Sequence, residues 1–444
     1  MFLKALLILF CVLISILVLA EDKVSVNQLD QAIASFRKEV DDNPKDAEAH
    51  YYLGSAYFSQ GRLKQAVIAY QKAVSLQPEY AKAYNNLGLA YAKQGLLQEG
   101  ADAYHKAITI KPDFFQAYFN LGKAYRDEKK LEKAAFSFQK AIDINPNDYE
   151  VYNNLGVVYG QQGRLDRAIE AYLKAATINP DYTAAYFNMG LAYYHLEKHE
   201  KAISSYQKVL VLTPEDNKTY NNLGLVYHGQ KNLDKAIIAY QQAIAINPNY
   251  ATAYNNLGTT YLKREQLDPA ITAYQQAITI NPNYKTAHIS LGDIYDRQGK
   301  LTKALNLYKA ASKIATNDAG IHFKLGMTYN KLGKLDQAAS AYQKAIDLAP
   351  QSVAAHYGLG VVLMKQGKLD QAISALTQAV NINPSLAMAH YNLACIYSLK
   401  KETNQAVAFF QKAITLDPDY KDHSKNDTDF NNVRHSSIYQ ELIK

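Results

Sequence analysis

The chain has 444 residues, of which 36 are tyrosine and none is tryptophan, a bias that a motif copied many times explains better than a single globular core does. Its formal net charge is +7, but lysine and arginine are dispersed among aspartate and glutamate along the whole length, which argues against a nucleic-acid partner. Cys11 lies in the apolar N-terminal segment, so Cys395 is the one thiol of the remaining chain and an internal disulfide is excluded there.

The first predicted element is a hydrophobic segment at residues 1–20. Residues 5–20 are apolar apart from Ser15, with Lys4 before the run and two acidic residues after it. This pattern is typical of a signal anchor or of a cleavable signal peptide, and both alternatives stay open. Because positive charge is retained on the cytoplasmic side, we expect the rest of the chain to lie beyond the membrane, either anchored to it or exported after cleavage.

A repeat with a period of 34 residues carries the rest of the chain. The string Tyr-Asn-Asn-Leu-Gly begins at Tyr84 and returns at Tyr152, Tyr220 and Tyr254. Counting from Ala47, eleven complete repeats run without a gap over residues 47–420. Residues 27–46 match the second half of one further repeat, so the array is predicted to begin with a half repeat.

The apolar spacing within each repeat predicts a helical hairpin. In the second copy Tyr84, Leu87, Gly88 and Tyr91 fall on one stripe of a helix, and Gly95 follows that helix at the turn. A second helix follows, with Pro112 just beyond its end. A hairpin of this kind buries its apolar face only by stacking on its neighbours, so the sequence predicts an all-α solenoid.

These residues resemble the tetratricopeptide repeat. The family pattern has an aromatic or apolar residue at position 4, Leu at 7, Gly or Ala at 8, Tyr at 11, Ala at 20 and 27, an aromatic at 24 and Pro at 32, and residues 47–420 match it with few departures. The resemblance implies a right-handed superhelix of helix pairs. It also implies that the first helices line a groove that receives peptides or folded protein partners.

The last segment, residues 421–444, is a polar stretch followed by apolar residues at Phe430, Val433, Ile438 and Leu442. Their spacing predicts a final amphipathic helix that covers the exposed core of the last repeat. A mobile tail that binds a partner is the alternative interpretation of this segment.

The chain has no recognisable signature of catalysis. It contains no phosphate-binding glycine loop, dinucleotide fingerprint, nucleophile elbow or metal-spaced cluster, so we expect a protein that is not an enzyme, with no cofactor, no metal and no small-molecule substrate. His288, His322, His356 and His390 recur at the period of the repeat, at position 4, where other copies carry tyrosine. Residues one repeat apart are too distant to share one ion, so these histidines are interpreted as packing substitutes.

One repeated residue type is not explained by packing. Six consecutive repeats have asparagine at position 6, which is expected to face away from the apolar stripe of its own helix and to disfavour the helix slightly. A row of amides complements a peptide backbone, so the row is a candidate peptide-binding track. We call it the asparagine row: Asn86, Asn120, Asn154, Asn188, Asn222 and Asn256.

The asparagine row resembles that of the tetratricopeptide domain of O-linked N-acetylglucosamine transferase, whose catalytic domain has no counterpart here. Inheritance by recent duplication, without a ligand, is the alternative explanation. Repeats 8 to 10 carry Ser290, Lys324 and Gly358 at position 6, so the track is expected to end near residue 284. The leading functional hypothesis is a scaffold or adaptor that binds proteins or extended peptides at or beyond a membrane. The alternative is a noncatalytic, substrate-presenting subunit of a glycosyltransferase or envelope-assembly complex.

Overall fold

The computed structural model describes residues 26–444, and every regular element within this range is a helix. A helix at Val26–Asp42 precedes eleven hairpins, which we number as repeats 1 to 11 with Ala47 as position 1 of repeat 1. The first helices are Ala47–Ser59, Ala81–Lys93, Phe115–Asp127, Tyr149–Gln161, Thr183–His195, Asn217–Gly229, Ala251–Lys263, Lys285–Arg297, Ala319–Lys331, Val353–Lys365 and Ala387–Leu399. The second helices are Leu63–Leu76, Leu97–Ile110, Leu131–Ile144, Leu165–Ile178, His199–Leu212, Leu233–Ile246, Leu267–Ile280, Leu301–Ile314, Leu335–Leu348, Leu369–Ile382 and Thr403–Leu416.

The two helices of a hairpin meet where a glycine at position 8 faces an aromatic ring at position 24. A Cβ atom added to Gly156 would lie 2.5 Å from the ring of Tyr172, and one added to Gly292 would lie 2.7 Å from the ring of Tyr308. Both rings are almost completely buried. The glycine is therefore required because the ring lies directly against its backbone, which fixes the distance between the two helices.

The tyrosines at position 4 contribute less to this core than the apolar stripe predicts. Tyr84, Tyr118 and Tyr152 are half-buried, whereas the rings of Tyr104, Phe138 and Tyr172 at position 24 are at most 5% exposed. Position 4 lies in the first turn of its helix, beside the loop from the preceding repeat, so one side of the ring remains open to solvent. The central residue of each hairpin core is therefore at position 24, which is aromatic in every repeat except repeat 10, where it is the fully buried Leu376.

The turn within each hairpin has the same backbone conformation in all eleven repeats. Position 15 has positive φ, between 70° and 82° in the six repeats where it is glycine. In the other five repeats the same position holds lysine or glutamate with φ between 55° and 63°: Lys129, Glu197, Lys231, Glu265 and Lys401. This left-handed conformation ends the first helix and reverses the chain toward the second.

The chain divides into two compact units, of which unit 1 ends at Val226 and unit 2 is Tyr227–Lys444. Unit 1 contains the N-terminal helix, repeats 1 to 5 and most of the first helix of repeat 6. Its N-terminal helix buries Ile33 and Phe36 in one core cluster with Tyr57 and Tyr70 of repeat 1. This helix therefore packs as the second half of a repeat would.

Unit 2 ends in three short elements: a helix at Tyr420–Asn426, a 3-10 helix at Thr428–Phe430 and a helix at Ser437–Leu442. Phe430 and Tyr439 are fully buried and pack on Phe410, with ring centroids 5.1 and 5.4 Å from it. Ile438 is 49% exposed, so its predicted place in the core is wrong. The prediction failed there because this region forms short helices at changing angles rather than one amphipathic helix.

The hydrophobic segment at residues 1–20, predicted to be a signal anchor or signal peptide, lies outside the described residues. Within residues 26–444, no helix has both the length and the apolar character needed to cross a membrane.

Candidate peptide-binding face

The asparagine row lies on the first helices, at position 6. Positions 2, 6, 9 and 13 fall within about 60° of one another around an α-helix, because each residue turns the chain by about 100°. They form one face, opposite the stripe that packs against the second helix, and we call it the first-helix face. All six asparagines are half-buried rather than fully exposed. In repeats 2 to 5 the first helix of the preceding repeat lies alongside and covers part of each amide.

Three members of the row donate hydrogen bonds to position 5 of the preceding repeat in unit 1. The side-chain amide of Asn86 donates to the Tyr51 hydroxyl at 3.1 Å, that of Asn120 donates to Asn85 Oδ1 at 3.0 Å, and that of Asn188 donates to Asn153 Oδ1 at 2.9 Å. In each case the acceptor is at position 5 of the preceding repeat. Position 6 thus faces away from its own hairpin, as predicted, but it also joins neighbouring repeats.

The sequence analysis did not identify the acceptors at position 5. Asn85 and Asn153 are only 5% and 8% exposed, so each amide pair is a partly buried polar contact between first helices. Position 5 alternates between asparagine and phenylalanine along unit 1: Asn85, Phe119, Asn153, Phe187 and Asn221. This alternation, with a period of two repeats, was the available signal that position 5 has a structural role.

Asn154 follows a repeat with phenylalanine at position 5, and its amide has different partners. Its Nδ2 donates to the backbone oxygen of Glu150 in the same helix at 2.8 Å, and its Oδ1 accepts from the Arg126 guanidinium at 2.7 Å. Asn222 accepts from Asn221 Nδ2 at 3.5 Å. The five members in unit 1 therefore have the same position in the repeat but not the same hydrogen bonds.

In unit 2 the corresponding face has a different chemistry. Asn256 accepts from Asn255 at 3.5 Å, but in repeats 8 and 9 the Lys324 ammonium bonds Asp293 at 2.7 Å. Asp293 also accepts from the Tyr308 hydroxyl at 2.5 Å, and burial together with this bond raises the pKa of Tyr308. Asparagine returns at position 6 only in repeat 11, where Asn392 donates to the Tyr357 hydroxyl at 3.3 Å.

The histidines at position 4 have a local role. Nε2 of His288, His322, His356 and His390 lies 2.9 to 3.0 Å from the backbone oxygen of the residue six positions earlier. A ring nitrogen that carries a proton would donate to this carbonyl of the loop between repeats. The contact supports their interpretation as packing residues, each serving its own loop.

One group in the described residues has the spacing of possible metal ligands: Cys395, Asp427 and Asp429 near the C-terminus. Burial, with two carboxylates nearby, raises the pKa of the Cys395 thiol, and its Sγ lies 3.8 Å from Asp427 Oδ2. The Tyr391 hydroxyl donates to the same oxygen at 2.7 Å. Because Asp427 accepts from both Tyr391 and Cys395, we interpret the cluster as a structural contact between repeat 11 and the last segment.

Within each unit, stacked helical hairpins with a common core position define an interaction scaffold. One family model of the tetratricopeptide repeat matches residues 23–61, 54–95 and 122–163. A second model of the same repeat matches residues 81–114, 149–182 and 387–420. The chain belongs to the tetratricopeptide repeat family, whose members bind proteins or peptides. The model of the cilia and flagella-associated protein 70 C-terminal domain matches residues 174–390.

Several solved structures are similar to parts of the chain. YrrB, described as a TPR protein with an unusual peptide-binding site, is 25% identical with a TM-score of 0.39, over 45% of this chain and all of that one. The pilF protein of Pseudomonas aeruginosa is 20% identical with a TM-score of 0.42, over 47% of this chain and 94% of that one. MamA is 28% identical with a TM-score of 0.35, over 36% of this chain and 95% of that one. No match is found among curated proteins.

Proposed function

We propose that this chain is a noncatalytic scaffold whose unit 1 binds an extended peptide segment of a partner protein along the first-helix face of repeats 2 to 6. The observation that carries the proposal is the regular row of amides on that face, at Asn86, Asn120, Asn154, Asn188 and Asn222. A peptide backbone presents one donor and one acceptor per residue. A side-chain amide complements both, so the row recognises the backbone and tolerates many side chains.

The bonds between repeats support this proposal because they orient the amides without using all their hydrogen-bonding groups. Asn120 and Asn188 each donate one of two amide N–H groups to a position 5 acceptor. The second N–H group and the carbonyl oxygen are the atoms that would meet a peptide backbone. An amide held in place before binding loses less conformational entropy when the peptide arrives, which favours affinity.

The experiment begins with capture of the partner segment. A photoreactive amino acid replaces Leu191, which is 39% exposed on the face, and the segment crosslinked to the full-length chain is identified by mass spectrometry. A synthetic peptide of that segment is then titrated against the wild type and Asn154→Ala. Loss of one hydrogen bond is worth about 0.5–1.5 kcal/mol, so binding should weaken about two- to twelvefold.

Asn154→Ala is the variant of choice because its partners are a carbonyl in its own helix and the partly exposed Arg126, so no buried group is left unpaired. The matched control is Glu170→Ala, an exposed residue on the second helix of the same repeat. Equal affinity of Asn154→Ala and the wild type, with helicity unchanged, would show that the row is a product of duplication. Capture of one enzyme in equal amounts would favour the substrate-presenting subunit.

We further propose that the segment at residues 1–20 places the repeats outside the cytoplasm, at the membrane or released from it. The support is the order of Lys4, the apolar run and the acidic residues that follow. Protease added to intact cells whose outer barrier has been removed should digest the repeats. Full protection of the repeats in such cells, with digestion after lysis, would contradict the proposed orientation.

A further inference from the structure

A second row of side chains lies beside the asparagine row in unit 1. Position 9 is one helical turn from position 6 on the same face, and it is apolar in four of the five repeats from 2 to 6. Leu191 is 39% exposed and the other apolar members are half-buried. The row is Leu89, Lys123, Val157, Leu191 and Leu225.

Lys123 is the charged member of this row. Its side chain is exposed, and its ammonium lies 5.3 Å from the ring centroid of Phe119, a cation–π contact that leaves the charge accessible. The nearby acid, Asp127, pairs with Arg126 at 2.9 Å. Position 9 is thus positive in repeat 3, between apolar side chains at position 9 of repeats 2 and 4.

The distance between repeats selects a conformation for the bound peptide. Side chains of successive first helices are in direct hydrogen-bonding contact, and packed helices have axes about 8–10 Å apart. A polyproline II helix advances about 3.1 Å per residue with three residues per turn, so every third side chain returns to the same side after about 9 Å. Its backbone makes no internal hydrogen bonds, which leaves its N–H and C=O groups for the asparagine row.

We infer that unit 1 binds a polyproline II-like segment that has an acidic residue opposite Lys123 and apolar residues three positions before and after it, opposite Leu89 and Val157. This inference rests on the proposed function and names the ligand class for the same face. Backbone contacts to the asparagine row provide affinity that depends little on sequence, and position 9 selects every third side chain. An amphipathic helix fits poorly, since its apolar side chains recur about every 5 Å.

The test uses fluorescence anisotropy with the full-length chain and labelled ten-residue peptides. The probe has leucine, glutamate, leucine and leucine at every third position, with proline and serine between them, and it is made in both chain directions. One comparison peptide has lysine in place of glutamate, and another has the same residues at every second position. Exposed charge pairs are weak, so we expect the wild type to prefer glutamate over lysine about two- to fivefold.

The decisive variant is Lys123→Glu, which should reverse this preference, because opposite charges attract in either arrangement. Lys174→Glu makes the same change of net charge at an exposed site on the second helix of repeat 4 and should leave the preference as in the wild type. Circular dichroism checks that both variants remain helical. A role of Lys123 in folding alone would not produce reversal.

An unchanged preference in Lys123→Glu, or equal binding of the peptide with altered spacing, would overturn the inference while peptide binding itself stands. Failure of every designed peptide, when the crosslinked partner segment still binds and loses affinity in Asn154→Ala, would also overturn only the inference. Failure of both the designed peptides and the partner segment would overturn the proposed function together with it.

Discussion

Different side-chain contacts join neighbouring first helices within unit 1 and within unit 2. In unit 1 Asn120 and Asn188 bond buried asparagines of the preceding repeat, at Asn85 and Asn153. In unit 2 the residue at position 6 of repeat 9, Lys324, instead bonds an aspartate of repeat 8. The backbone framework is the same, since a hairpin in either unit has a first helix of 13 residues and a second helix of 14 residues.

The difference shows how one scaffold is given two kinds of surface. An amide pair keeps donors and acceptors for a ligand, carries no net charge and depends little on salt. In an ion pair such as Lys324–Asp293, the two charges neutralise each other, and the attraction weakens as salt increases. For this reason we propose the binding face in unit 1 rather than in repeats 8 and 9, where charged pairs join the repeats.

The largest expected effect tests what the two units have in common. Tyr172→Ala in unit 1 and Tyr308→Ala in unit 2 each remove a buried ring that packs on a glycine, and each should lower the free energy of unfolding by about 3–5 kcal/mol. Tyr308→Ala should cost slightly more, because the ring also bonds Asp293. Urea unfolding followed by circular dichroism measures both, and Tyr152→Ala, with a half-buried ring, is the control. An equal loss in Tyr152→Ala would contradict the central role of position 24.

An intermediate effect is expected from Asn120→Ala in unit 1. The substitution leaves Oδ1 of the buried Asn85 without its donor, which should cost about 1–3 kcal/mol even though alanine is the better helix former. Asn154→Ala leaves no buried group without a hydrogen bond, so it should lower the free energy of unfolding much less.

The same urea titration compares the two asparagine variants and adds Asn85→Ala/Asn120→Ala, which should recover part of the loss because neither partner remains. Equal costs for Asn120→Ala and Asn154→Ala would show that the amide pair contributes nothing specific.

The smallest effect distinguishes the ion pair of unit 2 from the amide pair of unit 1. Lys324→Met removes a pair whose side chains are 35% and 34% exposed, so the expected loss is about 0.2–1 kcal/mol at low salt. Unfolding measured in dilute buffer and in molar sodium chloride should show this loss shrinking with salt, whereas the cost of Asn120→Ala should stay the same. A salt-independent cost of Lys324→Met would mean that packing, rather than charge, explains it.

The sequence predicted the fold well because the same local rules are repeated many times. The period, the hairpin, the glycine at position 8 and the alanines at positions 20 and 27 follow from spacing within one repeat, as Ala168 and Ala175 with no exposed surface illustrate. The half-burial of the rings at position 4 was not predicted. It depends on the loop of the preceding repeat, which the periodicity of a single helix does not describe.

The candidate site was predicted in position but not in environment. A helical wheel places Asn120 away from its own hairpin, which is correct, but it contains no information about the helix one repeat earlier. The partner, Asn85, lies 35 residues back in the chain, one more than the repeat period. Finding it from sequence requires the offset between stacked helices, which only the packed structure supplies.

The dependence of each amide on a partner in the preceding repeat also determines which repeats could be lost with little loss of stability. Loss of residues 115–148 would bring Asn154 opposite Asn85 and conserve both amide pairs of unit 1, since Asn188 would still follow Asn153. Loss of residues 149–182, of the same length, would bring Asn188 opposite Phe119 and remove one pair. The two losses have the same length, so within repeats 2 to 5 the cost depends on which residue at position 5 is lost.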